Sequence, residues 1–502
     1  MVGGGVVGAG VARDAALRGL AVAVVEAGDW ASGTSSRTTK FAHGGLRYLE
    51  ERDFGLVRTA LRERATLLRI APHLTRATPF LLPIHRGSRP PWQLRIGLGL
   101  YDVLARGARL GRHRVVDAAE ARAREPLLSP RGLRGAGVYW DARVRDARLV
   151  VETIADARRA GAVAASRCAV RALEPWSGGW TAEVEDRRGG ERFLLRGRAW
   201  INATGPWADR LRALAASGRG PLLAPTKGAH VVVSRERLPL RDPTAFFAGD
   251  GRLVFAVPEG DWTFIGTTDT PDGGDVDDFA ASDGDVDYLL AAASGAFEPG
   301  LSRGDVRGAW AGWRPLVRAA RADRPGAIPR DEAMEATAPR FLTVSGGKLT
   351  TYRAMAEDAV DGACETLGRP RGACATALRP LVPASVGGAG PPRGAPPASV
   401  ARVRELFGPD ADDVFDRWRA APETGEPLAD GFPYTAAEVE RAAREMVETL
   451  GDLVDRRLSV LPEGLPVGGP ALERVAAAAA PVLGWSEARV REEVARFRAP
   501  AI

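Results

Sequence analysis

Gly3, Gly5 and Gly8 open the chain as G-x-G-x-x-G, and no later feature restricts the fold as tightly. Such a run permits a sharp turn, lets backbone approach a pyrophosphate, and lets the following helix pack closely on its strand. Residues 7–18 have helical periodicity, Gly19 can end that helix, and residues 21–25 read as a buried strand finishing at Glu26. In dinucleotide-binding units an acid about 20 residues after the glycines accepts the ribose hydroxyls, and Glu26 stands there. The strand that should precede Gly3, normally central in its sheet, is reduced to Met1 and Val2. Either the true start lies upstream or the sheet lacks its middle strand.

At 502 residues the chain exceeds one ordinary core, and 45% hydrophobic with 26% charged residues is the composition of a packed soluble protein. The three cysteines, Cys168, Cys364 and Cys374, give neither a disulfide framework nor a four-ligand zinc site, and fit a reducing, cytoplasmic setting. No metal is expected. The apolar start lacks a preceding basic region and reads as fold rather than signal peptide. No run of about 18 apolar residues offers a membrane span.

The net charge of +6 is matched by one stretch alone. Residues 84–114 hold Arg86, Arg89, Arg95, Arg106, Arg109, Arg112 and Arg114 against Asp102, so 7 − 1 = +6. Trp92, Leu94, Ile96, Leu98, Leu100, Tyr101 and Leu104 are interleaved with them. Such a mixture suits an anionic membrane surface, with apolar groups at the headgroups and guanidinium groups on phosphates; a plain solvated basic helix is the alternative. No nucleic-acid partner is expected, since no binding motif accompanies the charge.

Beyond residue 150 helices and strands alternate. Residues 151–160 read as a helix and 200–204 as a buried strand ending at Gly205-Pro206. Residues 230–233, 253–257 and 262–266 are β-rich, the last two forming a hairpin around Gly260. Another strand-to-helix turn runs from 341–344 through Gly346-Gly347-Lys348 into a helix ending near Ala359. Residues 383–399 have linker composition, and 400–407, 436–454 and 475–497 are helical in period. The expected organisation is an α/β fold. A Rossmann-like nucleotide domain is interleaved with an antiparallel β-rich substrate domain over residues 1–382; a linker covers 383–399 and a helical C-terminal cap 400–502.

After Glu26 comes a loop of small and hydroxyl residues, Gly33-Thr-Ser-Ser-Arg-Thr-Thr-Lys40, then His43-Gly-Gly-Leu-Arg-Tyr48. Its amides and hydroxyls suit an extended flavin cofactor. The segments TSSRTTKFAHGGLRYLE, NATGPWAD, KGAHVVV, IGTTD, WRPL and SGGKLTTYR, with YTAAEV and DLVDRR in the tail, together resemble the FAD-dependent glycerol-3-phosphate dehydrogenases, a family in the amino-acid-oxidase-like superfamily. The resemblance spans nearly the whole chain and takes in all three lysines, Lys40, Lys227 and Lys348.

The resemblance implies FAD as cofactor, oxidation of sn-glycerol 3-phosphate to dihydroxyacetone phosphate, delivery of electrons to membrane quinone, and a peripheral position on the inner face of the cytoplasmic membrane. An oxidase handing electrons to oxygen, and a non-catalytic flavin-binding or membrane-docking relic, are the rival readings; a homodimer stays open. Flavin oxidation of a secondary alcohol needs a proton acceptor and a fixed C–H geometry, and the substrate phosphate needs cations. His230 is the candidate base or relay. Arg314 and Arg330 are candidate phosphate or alkoxide ligands, because a guanidinium fork meets a phosphate with two parallel bonds. Lys348 is a catalytic candidate, standing where a helix start can stabilise negative charge on a reduced cofactor. Arg47 and Tyr48 are candidates to border the substrate cavity, with a Tyr48 packed in the core as the alternative. The cofactor set is Gly3, Gly5, Gly8, Glu26, Thr34, Ser35, Ser36, Lys40, His43, Gly44, Gly45, Thr204, Gly205, Gly347, Lys348, Leu349 and Thr350. Asn202 reads as a turn stabiliser. Asp283, Asp285 and Asp287 begin like a calcium loop, but the twelfth position is Ser294, so they read as a solvated helix start.

Overall fold

A computed structural model describes residues 1–49, 52–87, 90–271, 274–318, 333–384, 388–430, 432–459 and 469–498. The glycine turn leads into the helix Val6–Leu17, buried on most sides because it packs between the helices Asp146–Arg159 and Tyr352–Thr366. Gly10 permits the approach to the latter helix, since a Cβ there would lie 2.9 Å from Ala356 Cβ, and Gly8 lets the helix start close over its own turn, since a Cβ there would lie 2.0 Å from the carbonyl oxygen of Gly3.

The middle of the nucleotide sheet is filled. Val2 N–H donates to Ile201 O at 3.0 Å and Ala203 N–H to Val2 O at 2.9 Å. On the other side Val25 N–H donates to Met1 O at 3.1 Å and Gly3 N–H to Val25 O at 2.9 Å. The expectation of a missing central strand is therefore corrected. A parallel ladder needs only backbone donors and acceptors, and residues 1–3 supply them to both neighbours. The resulting order is Val163–Ala165, Ala23–Val25, residues 1–3, Trp200–Asn202, Phe341–Ser345 and the antiparallel Ala333–Ala338.

Among the described residues the second large sheet has ten strands. Its spine pairs Thr226–Ser234 with Trp262–Gly266 on one side and Val306–Arg314 on the other, and Thr75–His85 with Leu133–Val144. It is antiparallel except where Thr244–Phe247 runs beside Thr75–His85. Apolar clusters cover both of its faces, one under the helix Asp283–Ala296 and the other under the helix Pro91–Leu104. Ser282 caps the former helix by accepting the N–H of Asp285. Asp283 and Asp287 are exposed and paired with Arg303, but Asp285 is buried, so the solvated helix start holds only for the outer two.

The C-terminal helices enclose their own core around Phe407, Phe415, Leu453 and Leu472. Three details depart from the sequence expectation. The helix Pro397–Phe407 already takes in the end of the 383–399 stretch, with Pro397 in its first turn, where proline loses no helical bond. The 436–454 segment is not one helix: Ala436–Ala443 ends, Met446 takes a left-handed φ of 55°, and the chain resumes as a π-helical stretch, Asp452–Leu458. The 475–497 segment is divided at Gly484, φ 65°, into Gly469–Leu483 and Glu487–Arg498.

Candidate active site

A cleft opens over the glycine turn, lined by Gly3, Gly5 and Glu26 at one end and by Gly346, Gly347 and Lys348 at the other. Gly3 adopts φ +112°, and a Cβ on it would meet Ala203 O at 2.4 Å, so only glycine fits. The helix beginning at Val6 has Gly5 as its N-cap, which itself offers no side chain, and no acid stands in its first turn. That end carries the partial positive charge that favours a diphosphate. Glu26 accepts Gly4 N–H at 2.6 Å and Gly28 N–H at 2.7 Å, one on each oxygen. A carboxylate offers about four acceptor positions, so two are left for ribose hydroxyls. Burial raises the Glu26 pKa and these two amides oppose the rise. Diphosphate amides, a ribose acceptor and a glycine-floored trough fit an FAD.

Two loops line this cleft, and a third docks on them from behind. Thr34 and Ser35 line it, and Ser35 Oγ accepts Val6 N–H at 2.9 Å. Thr34 donates its hydroxyl to Trp313 O at 2.6 Å, tying the cleft wall to the large sheet. Gly346 and Gly347, at φ 79° and 72°, swing the chain from the strand Phe341–Ser345 toward the helix Tyr352–Thr366 and set Lys348 and Leu349 in the cleft wall. The Lys348 ammonium lies 3.4 Å from the centre of the Tyr48 ring. His43 N–H donates to Thr350 Oγ1 at 3.1 Å, docking the 43–48 loop on the 346–350 loop. Thr204 and Gly205 complete the wall. Asn202 sets their turn, its amide donating to Ala208 O at 3.0 Å and its oxygen accepting Thr204 Oγ1 at 2.7 Å.

Several cofactor candidates lie elsewhere. Gly8, Ser36, Lys40, His43, Gly44, Gly45 and Thr350 do not line the cleft. Lys40 is turned to Asp146 at 2.9 Å, because a carboxylate buried that deeply needs a cation. Gly44 N–H donates to Tyr101 Oη at 3.0 Å and Asp141 Oδ1 at 3.2 Å, leaving no room there for a Cβ. Tyr48 is buried beside Lys348. Arg330 lies outside the described residues, as does the side chain of Arg47.

On the large sheet His230 and Arg314 share a face. His230 sits opposite Gly266 on one neighbouring strand and Trp310 on the other. Its ring occupies the space Gly266 leaves, where a Cβ would be 2.1 Å from His230 Cδ2. Nε2 is 3.1 Å from Thr39 Oγ1, and Nδ1 is buried with no hydrogen-bond partner among the described residues. Burial first, then Arg314 and Lys40, push the imidazole pKa down to about 3. The Arg314 guanidinium lies against Gly228, one ladder step of roughly 7 Å from His230. It donates to Asp269 Oδ1 at 3.1 Å, Thr267 Oγ1 at 2.9 Å and Thr268 O at 3.0 Å. Thr39 and Ser35 are four residues apart, which an extended chain spans in about 14 Å at most, so His230 is close to the cleft.

Sequence reasoning passed over Gly228 and Gly266. Both lay inside quoted motifs, KGAHVVV and IGTTD, and their meaning is the volume they leave for Arg314 and His230.

A glycine turn at a helix start, with a carboxylate free to accept ribose hydroxyls, marks a dinucleotide-binding cleft. Residues 1–360 match the family described as FAD dependent oxidoreductase, and residues 342–490 match the C-terminal domain of alpha-glycerophosphate oxidase. The chain is 36% identical to glycerol-3-phosphate dehydrogenase 2 of Mycobacterium tuberculosis, over 99% of this chain and 87% of that protein. It is 34% identical to the aerobic glycerol-3-phosphate dehydrogenase of Bacillus subtilis, over 91% and 86%. The solved structure of the glycerol-3-phosphate dehydrogenase from Bacillus halodurans complexed with FAD superimposes with a TM-score of 0.76 at 30% identity, covering 99% of this chain and 92% of that one. The chain belongs to the FAD-dependent glycerol-3-phosphate dehydrogenase family, and FAD is its cofactor.

Proposed function

We propose that this enzyme oxidises sn-glycerol 3-phosphate at C2 to dihydroxyacetone phosphate and delivers the electrons to a membrane quinone from the cytoplasmic face of the membrane. The observation that carries the reading is the convergence of the 33–40, 43–48 and 346–350 loops between the cleft and the face bearing His230 and Arg314. FAD bound in the cleft supplies the two-electron acceptor for the C2 hydride. Arg314, its fork held by Asp269 and Thr267, presents a cation of fixed orientation to the phosphate. His230 is neutral at physiological pH, the form able to take the hydroxyl proton. A bound phosphate dianion cancels part of the cationic field that depresses its pKa and so raises its basicity on binding. Lys348 holds positive charge beside the cleft, while Tyr48 fixes its ammonium by a cation–π contact. Arg47 and Arg330 complete the proposed substrate set.

The helix Pro91–Leu104 supports the membrane half of the reading. Leu98 and Tyr101 face the core, yet Trp92, Ile96 and Val103 on the other side are 65%, 63% and 63% exposed, beside the exposed Arg95, Arg106 and Arg109. A helix apolar on two faces satisfies the second only by further burial, and arginines around that face match anionic headgroups. No helix among the described residues is long and apolar enough to cross a membrane.

The deciding experiment is the visible spectrum of the purified protein before and after anaerobic glycerol 3-phosphate. Bleaching of the flavin band supports the reading, and an unchanged band removes it. Hydrogen peroxide formed in step with product, unaffected by a quinone analogue, assigns oxygen as the acceptor instead.

A further inference from the structure

A buried charge cluster lies between the C-terminal helices and the loop that follows Glu26. Asp29 is 1% exposed, held between Gly28, whose N–H binds Glu26, and Trp30, which packs on Gly4. Its carboxylate accepts Arg456 Nε at 2.6 Å and Arg457 Nη2 at 2.8 Å, with a further bond from Arg457 Nη1. Arg457 is fully buried, and its fork is fixed by the carbonyls of Glu445 and Met446 at 2.9 and 2.8 Å. Within the same helical stretch Asp452 accepts Arg456 at 2.8 Å, and it also accepts Arg167, from the turn before the strand Cys168–Trp176, at 2.6 Å. Arg167 precedes Cys168, which lines the cleft, and donates its N–H to Gly28 O at 2.9 Å. Burial raises the Asp452 pKa, but Arg456, Arg167 and Arg457 outweigh it and hold the carboxyl at about 2. The π-helical winding of Asp452–Leu458 brings Asp452, Arg456 and Arg457 to one side. Such winding is rare and is frequent at functional sites.

Resting on the FAD assignment, we infer that the stretch Asp452–Leu458 is a latch on the adenosine half of the FAD cleft, with Arg457 and Arg456 positioning residues that hold the ribose-binding loop through Asp29. Without those cations a buried Asp29 carboxylate stands unpaired beside Glu26, and the loop cannot keep its shape at that cost. Cofactor affinity and the folding of the C-terminal helices are then linked, and linkage is reciprocal: FAD must stabilise the latch as the latch stabilises FAD binding.

Amide hydrogen exchange on the full wild-type chain, with and without FAD, tests this directly. FAD is expected to slow exchange about tenfold in residues 445–459 as well as in the glycine turn, a typical coupling. In parallel, Arg457→Met and Asp29→Asn should bind FAD about tenfold or more weakly, with an equal loss for ADP, which carries only the adenosine side. The KM for glycerol 3-phosphate should not move once FAD saturates. Arg457→Lys should recover part of the affinity. Protection confined to the glycine turn, or unchanged FAD and ADP affinities in folded variants, overturns the latch. If Arg457→Met does not fold, the wild-type exchange decides alone. FAD that protects neither region refutes the cofactor assignment itself, and the latch with it.

Discussion

The His230 imidazole lies flat against the Trp310 indole, ring centroids 4.8 Å apart and planes 11° from parallel. With Gly266 on the opposite side, the ring is sandwiched away from water. A pKa lowered from 6.5 to about 3 means that the unfolded chain takes up a proton between those values and the folded chain does not. Stability from this group is therefore present in full above pH 6.5 and is lost as pH falls toward 3. By pH 4.5 the loss is up to about 3 kcal/mol at 1.36 kcal/mol per pH unit. Denaturant unfolding of wild type and His230→Gln at pH 7.5 and 4.5 should show the variant losing less stability across that range. Parallel losses would exclude His230 as the source.

The same residue separates binding from chemistry. His230→Ala leaves the glycine-turn cleft intact, so flavin absorbance should be retained while anaerobic flavin reduction by glycerol 3-phosphate slows about 10²- to 10⁴-fold, the usual range for a lost proton acceptor. Stopped-flow absorbance reads both. Reduction at the wild-type rate removes His230 from the reaction.

Arg314 is held by Asp269 and by two threonines, so its charge is aimed rather than free to rotate. Arg314→Lys keeps the charge but loses the fork, and kcat/KM for glycerol 3-phosphate should fall about 10²-fold, within the 2–5 kcal/mol range for breaking a hydrogen-bonded charge pair. Glycerol, which has no phosphate, should lose far less. Equal losses on the two substrates deny Arg314 a phosphate role.

Gly3 and Gly205 both have positive φ but differ in what surrounds them. A Cβ at Gly3 meets the Ala203 carbonyl at 2.4 Å, whereas at Gly205, φ +57°, nothing lies within 4 Å. Gly3→Ala must move the central strand, and flavin content per chain should drop tenfold or more. Gly205→Ala carries only the left-handed backbone penalty of about 1–2 kcal/mol, and should retain most of its flavin. Absorbance of the purified variants checks both.

How far the chain could be read from its letters depends on the range of each interaction. The glycine turn, Glu26, the 33–40 loop and the turn before Lys348 were legible because their chemistry is set by neighbours a few residues away. The strand 1–3 was not, since its identity rests on bonds to residues 25 and 201–203 rather than on its own length. Lys40 shows the other side of this. Its place in a cofactor-like loop put it in the cofactor set, while its ion pair with Asp146, more than a hundred residues away, has no local signature. The role of Gly266 depends on strand register that no local pattern encodes. Arg456 and Arg457 end the DLVDRR segment, which carried only a resemblance, because their partner Asp29 lies over four hundred residues earlier.

The outer face of Pro91–Leu104 yields a prediction with two separable parts. Replacing Arg95, Arg106 and Arg109 with glutamine removes three charges at about 1 kcal/mol each near an anionic surface, so partitioning onto phosphatidylserine-containing vesicles at low salt should fall about 100-fold. Exposed charges separated by more than a Debye length of about 8 Å at physiological ionic strength are largely screened, so this loss should shrink as salt rises. Trp92→Ser with Ile96→Ser acts on the other term: each side chain contributes roughly 1.5–3 kcal/mol when withdrawn from water, and that contribution is insensitive to salt. A solvated basic helix predicts no binding for either variant to change, whereas a lipid-docking helix requires the arginine effect to fade with salt and the apolar effect to persist. Vesicle sedimentation across a salt series distinguishes the two, and quinone reductase activity should follow the bound fraction while flavin reduction in solution does not.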